Sequence, residues 1–379
     1  KRELKRISPD FDFFYIGPKD ELSSILLSQE GIAGKNILAG KIRRYLEKKS
    51  VFQNLVDIFF KTPIGIFQSF FYIFYLSPDI IFSKGGYGSI PSVIAGWLLG
   101  TPIFLHESDS VPGLANKICS RLAIEVFTSF PASKNLDKTH FPLKKIISIG
   151  NPIRKEILNG SKEKGKKMFA LQCQKPIILI LGGSQGAQKI NNTILSILPA
   201  LLKNFEIIHQ CGEKNLKQVK EEADVMIPKD FKKYYHLYSF LKEREIRNAY
   251  ASADLIVSRA GAGAIFEISA AGKPSIIIPL PLAAQNHQIE NAYAFAKNKA
   301  TIVIEEENLT PHFFLEKLKI IFSDKEGLRK MSNNAKEFSR PKASYIIAQY
   351  IKEYLLKSKK MRNIKNVKKD KGVNLKNKK

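Results

Sequence analysis

Short, unbroken apolar runs recur along this chain, and patterns of helical period fall between most of them. The runs cover residues 11–16, 79–83, 101–105, 146–149, 176–181, 205–209, 255–258, 275–279 and 301–304. They lack polar alternation, so each predicts a strand buried on both faces, as in a parallel sheet covered by helices. Strand and helix alternating in this way predict an α/β, doubly wound architecture. With 379 residues, the chain has the length for two such units. A boundary is expected near Asn151-Pro152, between a strand that ends in Gly150 and a lysine-rich helical stretch. The expected division is 1–153 and 154–339, with an amphipathic helix at 340–356 packing back on the first unit.

Charge narrows the partners. The net charge of +26 draws such a chain to anionic surfaces: nucleic acid, acidic lipid or a phosphorylated substrate. Part of the excess is a tail, because residues 357–379 hold eleven Lys or Arg and one acidic residue. That composition predicts disorder, either as a solvated tail or as a tether to anionic lipid. No RNA- or DNA-binding module accompanies the charge, so nucleic acid is not an expected partner. Cys119, Cys173 and Cys211 form no CxxC pair, and the six histidines show no metal spacing. Neither a disulfide framework nor a metal site is expected, and a reducing cytoplasm fits. The uncharged run 62–78 is 17 residues long and contains Pro63, Gly65 and Pro78. It falls short of the roughly 20 apolar residues of a spanning helix.

Four loops at strand ends carry the chemistry, since ligands of open α/β sheets bind beyond the carboxyl ends of strands. Gly182-Gly183-Ser184-Gln185-Gly186 joins a strand to a helix, where free N–H groups face a phosphate. It lacks both the Walker A and the GxGxxG spacing, and a plain tight turn is the alternative. Ser258-Arg259-Ala260-Gly261-Ala262-Gly263 opens a helix that carries Glu267. That carboxylate either takes ribose hydroxyls or answers the helix dipole. The run from Pro279 through Gln285, Asn286, His287 and Gln288, with Asn291 beyond, suits sugar hydroxyls or simply caps a helix. The fourth loop starts at His106 and runs through Glu107, Ser108, Asp109 and Ser110 to Gly113, with Gly85-Gly86-Tyr87-Gly88 upstream. A lone His106 reads equally as a satisfied, partly buried histidine.

Together these loops resemble the MurG family, over about residues 15–356. The motifs are Ser-Lys-Gly-Gly-Tyr (83–87), His-Glu-Ser-Asp-Ser-Val-Pro-Gly-Leu-Ala-Asn-Lys (106–117), Gly-Asn-Pro-Ile-Arg (150–154), Gly-Gly-Ser-Gln-Gly-Ala (182–187), Ser-Arg-Ala-Gly-Ala (258–262) and Asn-His-Gln (286–288). Each is weak alone; six in order are specific. The resemblance implies a GT-B fold, two Rossmann-like domains facing across a cleft. It implies an inverting transfer of N-acetylglucosamine from UDP-GlcNAc to undecaprenyl-pyrophosphoryl-N-acetylmuramoyl-pentapeptide, with no metal or other cofactor. It further implies that Arg154 and Ser184 serve the donor diphosphate and that Leu241 sits beside the uracil. The backbone of Ala262, Gly263, Ala264, Ile265 and Phe266 lines the nucleotide, Glu267 takes the ribose and Gln288 the sugar. Gly85, Gly86 and Tyr87 receive the acceptor's pyrophosphate.

Two departures from the family pattern set further expectations. The family opens with a strand and a Gly-Gly-Thr-Gly-Gly-His loop that carries a candidate base, and this sequence begins after them. The catalytic base is therefore unassigned. The first sheet is expected to show two unpaired inner edges, and the sequence is expected to be a piece of a longer chain. Asp109 replaces an Asn of the family pattern in the acceptor cleft, and a carboxylate near two diphosphates is unfavourable unless neutral or paired.

Residues 59–75 carry Phe59, Phe60, Phe67, Phe70, Phe71, Tyr72, Phe74 and Tyr75, with Lys61, Arg43, Arg44, Lys48 and Lys49 close by and Trp97 as an addition. Aromatic residues beside basic ones suit an interfacial helix on the anionic cytoplasmic face of the bacterial inner membrane. About half of the rings are expected in the core. The alternative functions are a GT-B enzyme acting on another lipid and an inactive UDP-sugar-binding protein.

Overall fold

A computed structural model describes residues 1–41, 48–131, 146–183, 186–281 and 286–376. Two parallel arrays dominate it. The second holds β7 (Ile177–Leu181), β8 (Glu206–Gln210), β9 (Tyr235–Tyr238), β10 (Leu255–Ser258), β11 (Ser275–Ile277) and β12 (Thr301–Val303) in the order β12-β11-β10-β7-β8-β9. β7 lies centrally and is buried along its whole length, as its Ile-Ile-Leu-Ile-Leu sequence requires. Helices cover both faces and bury two separate apolar clusters, one on each side of the sheet. This is the doubly wound arrangement that the unbroken apolar runs predict.

The first array is divided. β1 (Phe14–Gly17) pairs only with β2 (Ala33–Asn36), while β3 (Ile81–Ser83), β4 (Ile103–Glu107), β5 (Glu125–Thr128) and β6 (Ile146–Ser148) form a separate parallel sheet in that order. Among the described residues, β1 and β3 each present an open edge to a cavity of about 2070 Å³ that both strands line. The two unpaired edges expected from the sequence are therefore found.

The chain crosses between the arrays through Gly150, whose φ of +93° and close approach to Arg340 admit no side chain. After β12 it returns to the first sheet by a long helix, Ala343–Lys376. Tyr350 and Tyr354 meet the rings of Phe104 and Phe127 edge-on, and the Tyr350 hydroxyl donates to Glu125 Oε1 at 2.8 Å. The disorder expected from residue 357 is corrected, because the helix continues to Lys376. Lysine and other straight-chain residues form helix readily, and this stretch holds one Gly and no Pro.

The expectation for the aromatic segment also needs correction. In the helix Thr62–Leu76 the buried residues are Gly65, Ser69 and Ile73, at i, i+4 and i+8. A seam this small lets the helix lie close to the helix Ile90–Leu98, with the Ser69 and Ser92 hydroxyls 3.3 Å apart. The rings are left outside, none of them buried; Phe59, Phe67, Phe74 and Tyr75 are 59–79 % exposed. Trp97 is also exposed. Arg43 and Arg44 lie outside the described residues.

Candidate functional site

The carboxyl ends of β7, β8 and β10 open into a cavity of about 960 Å³. Gly182 and Gly183 follow β7, and Gly183 turns with φ +77°. Ser184 and Gln185 lie outside the described residues. Gly186 follows with φ +76°, pressed against the Cys211 carbonyl. Gln210, the last residue of β8, belongs to none of the four loops that the sequence singles out. Its Oε1 accepts from the Leu241 N–H at 3.0 Å, and its amide lies 3.5 Å from the Gly183 carbonyl. One side chain thus joins the glycine loop to the residue expected beside the base.

The helix Ala262–Ala271 starts at the same cavity. Gly261 is its N-cap and provides no side-chain cap, so the first N–H groups point into the opening. Gly261, Gly263, Ala264 and Glu267 line the cavity. Ala262, Ile265 and Phe266 turn their side chains into the core and do not line the cavity. Arg259 binds the Glu306 carboxylate and donates to the Ile278 and Pro279 carbonyls at 3.3 and 3.4 Å, tying the ends of β10 and β11 together. Gln288 also lines the cavity, and its Oε1 accepts from the Leu280 N–H at 3.1 Å.

Arg154 reaches this cavity from the crossover and forms a two-pronged ion pair with Glu267, at 2.7 and 2.6 Å. Burial opposes the Arg154 charge, but the Glu267 carboxylate outweighs it and the guanidinium pKa rises. The buried Tyr250 hydroxyl donates to the same carboxylate at 3.4 Å.

The Gly85–Tyr87 loop of the first sheet lines the larger cavity, which Arg154 and Glu267 also line. Gly85 and Gly86 adopt φ +82° and +81° beyond β3, and Tyr87 is exposed beside them. Glu107 is buried at the end of β4, and its carboxylate accepts from the Asp109 N–H at 2.9 Å and the Asn116 amide at 2.6 Å. Burial raises its pKa. Asp109 is partnered: its Oδ1 accepts from the Asn291 amide at 2.8 Å. Asn291 also accepts from the Ser110 N–H at 2.7 Å and donates to the Ala260 carbonyl at 3.2 Å. This fully buried amide of the helix His287–Ala296 therefore clasps the two halves of the molecule together.

His106 is fully buried. Its Nδ1 lies 2.9 Å from the Lys84 ammonium, which can only donate, so the ring proton resides on Nε2 and faces the Gly150 carbonyl at 3.2 Å. Burial, aided by Lys84, depresses its pKa to about 3. With Nδ1 occupied, this histidine is no proton acceptor for a substrate, and the buried structural role is the correct one.

Residues 2–128 match the N-terminal domain of glycosyltransferase family 28, and residues 177–349 match its C-terminal domain. A Bacillus cereus UDP-N-acetylglucosamine–N-acetylmuramyl-(pentapeptide) pyrophosphoryl-undecaprenol N-acetylglucosamine transferase 2 is 36% identical over 345 residues, covering 91% of this chain and 92% of its own. The chain belongs to the MurG family. The corresponding Clostridium tetani transferase is 37% identical over 326 residues, with 86% of each chain covered. The crystal structure of Acinetobacter baumannii MurG superposes with a TM-score of 0.68 at 25% identity, over 93% of this chain and 94% of its own. A UDP-GlcNAc 2-epimerase from Neisseria meningitidis shares the fold alone, with a TM-score of 0.64 at 16% identity over 93% and 94% of the two chains. As a member of this family the chain has the GT-B fold, with one of its parallel arrays in each domain.

Proposed function

We infer that this chain transfers N-acetylglucosamine from UDP-GlcNAc to undecaprenyl-pyrophosphoryl-N-acetylmuramoyl-pentapeptide, completing the lipid-linked precursor of peptidoglycan. The observation that carries the donor half is the meeting of a glycine loop, an uncapped helix start and the Arg154–Glu267 pair in one cavity. As the acceptor hydroxyl attacks the anomeric carbon, UDP departs and negative charge grows on its β-phosphate. The N–H groups at Ala262, Gly263 and Ala264, together with Arg154 and Ser184, stabilise that charge. Glu267 takes the ribose hydroxyls, Leu241 flanks the uracil and Gln288 holds the sugar. Residues 154–339 form the donor domain and 1–153 the acceptor domain, where Gly85, Gly86 and Tyr87 receive the acceptor pyrophosphate.

The acceptor is a membrane lipid, so the enzyme works at a surface. No helix among the described residues is long and apolar enough to cross a membrane. The exposed rings of the helix Thr62–Leu76 provide an interfacial face for the anionic cytoplasmic leaflet, and the basic C-terminal helix adds charge.

Release of UDP from UDP-GlcNAc, with and without a lipid I analogue in anionic vesicles, tests the reading. Acceptor-dependent release is expected. UDP-GlcNAc binding with no release on any addition of lipid I sinks the transferase assignment and leaves a UDP-sugar-binding protein.

A further inference from the structure

Lys84 follows the last residue of β3, and its side chain is exposed. Its ammonium lies 2.9 Å from His106 Nδ1, 3.0 Å from Ser108 Oγ and 3.3 Å from Asn151 Oδ1. An ammonium has three N–H donors, and here each has one acceptor. The acceptors come from three places: the end of β4, the loop that follows it, and the crossover after β6. All three are neutral. Among the described residues no carboxylate ion-pairs with Lys84; Glu107 is held by Asp109 N–H and Asn116, and Asp109 by Asn291.

What the charge does here is geometric. It binds Ser108 at the base of the loop whose next residues, Asp109 and Ser110, grip Asn291 of the other domain. Asn291 in turn holds Ala260, just ahead of the helix that opens on the donor cavity. The ammonium also binds Asn151, three residues before Arg154.

We propose that Lys84 is a positioning residue of the transfer reaction: its ammonium gathers the ends of β3, β4 and the crossover so that the acceptor loops and the donor cavity face each other in register. The proposal rests on the transferase reading above. It predicts that losing the charge impairs the chemical step and spares donor binding, since Lys84 touches no donor-cavity residue. The groups around it that titrate are His106, Glu107 and Asp109, and His106 stays neutral above about pH 3. Desolvation of the ammonium among its three partners lowers the Lys84 pKa to about 8, so the tripod loses its third proton within a reachable range.

The test compares the intact chain with Lys84→Met, using UDP-GlcNAc and a lipid I analogue. The expected result is a kcat lower by about tenfold or more, with the UDP-GlcNAc Kd within about twofold. Tm should hold, because a substitution at an exposed side chain changes stability little. The wild-type rate should carry a falling limb through about pH 8 that the variant lacks. Equal rates across that range overturn the proposal. So does a loss of donor binding and Tm in step with kcat, which marks a purely structural lysine. A wild-type protein that releases no UDP with lipid I refutes the transferase reading instead.

Discussion

Arg154 and Glu267 occupy each other. The two side chains meet end-on at 2.7 and 2.6 Å, one from the crossover between the domains and one from the helix Ala262–Ala271. In the transferase reading, the guanidinium serves a diphosphate and the carboxylate a ribose. The pairing spares the largely buried Glu267 carboxylate an uncompensated charge.

Removing one partner should therefore be worse than removing both. Glu267→Ala leaves Arg154 half-buried and unpaired, and takes away the ribose acceptor. A hydrogen bond to a charged group contributes about 1.5–3 kcal/mol, so the UDP-GlcNAc Kd should rise by roughly 10- to 150-fold. Arg154→Met should instead lower kcat with a smaller change in Kd, because diphosphate charge grows as UDP departs. Calorimetric titration of both variants alongside turnover separates the two effects. A Glu267→Ala protein that binds UDP-GlcNAc like the parent removes Glu267 from the site.

The glycine loop offers a graded test. Gly183 has φ +77° and open space where a Cβ would stand; Gly186 has φ +76° and the Cys211 carbonyl oxygen 2.6 Å from that position. Gly183→Ala therefore meets backbone strain alone, about 1 kcal/mol. Gly186→Ala adds a collision with backbone and should cost clearly more. Thermal unfolding should rank the two variants in that order. The reverse order would mean that the loop takes another shape in solution.

Much of this architecture is legible in the sequence, and what is not shares a cause. β7, β8 and β10 announce themselves because a strand buried on both faces must be apolar throughout. β2 does not, because its sequence, Ala-Gly-Lys-Asn, is exposed and carries no apolar signal. β9, Tyr-His-Leu-Tyr, alternates as an edge strand does and so forms no unbroken apolar run. The glycine loops and Glu267 are legible because local spacing defines them. The joining roles of Gln210, Lys84 and Asn291 are not, since each links strand ends that are distant in sequence. The exposure of the aromatic face is hidden for a related reason. Only the partner helix reveals that Gly65, Ser69 and Ile73 form the packing seam.

Acid stability should track His209. It is wholly buried on β8, with Nδ1 2.8 Å from the Tyr235 hydroxyl and Nε2 3.0 Å from Asn191 Oδ1. Burial depresses its pKa to about 3, against the ordinary histidine value of 6.5. Between these values the unfolded chain binds a proton that the folded chain refuses. The ring's contribution is therefore complete above pH 6.5 and is lost as the pH falls toward 3. Its slope is at most about 1.4 kcal/mol per pH unit. Denaturant titrations across that window should show His209→Gln with a slope smaller by about one proton. An unchanged slope would mean that His209 is protonated in the fold.

The membrane face makes the last prediction, and it separates two forces. Phe59, Phe67, Phe74 and Tyr75 are exposed on one helical segment, and Phe67 and Phe71 stack edge-on at 4.7 Å. Burying each ring in a bilayer interface contributes on the order of 1–3 kcal/mol, and this gain is insensitive to salt. The lysines contribute about 1 kcal/mol each near an anionic surface, and this gain is screened within roughly 10 Å at 0.1 M salt. Phe67→Ser with Phe74→Ser should therefore lower binding to vesicles of phosphatidylglycerol and phosphatidylethanolamine by about tenfold or more, at low and high salt alike. Raising the salt should weaken the parent and the double variant by the same factor. UDP-GlcNAc binding should be untouched, since neither ring lies near the donor cavity. A double variant that binds vesicles like the parent would assign attachment to charge alone and leave the aromatic face without a membrane role.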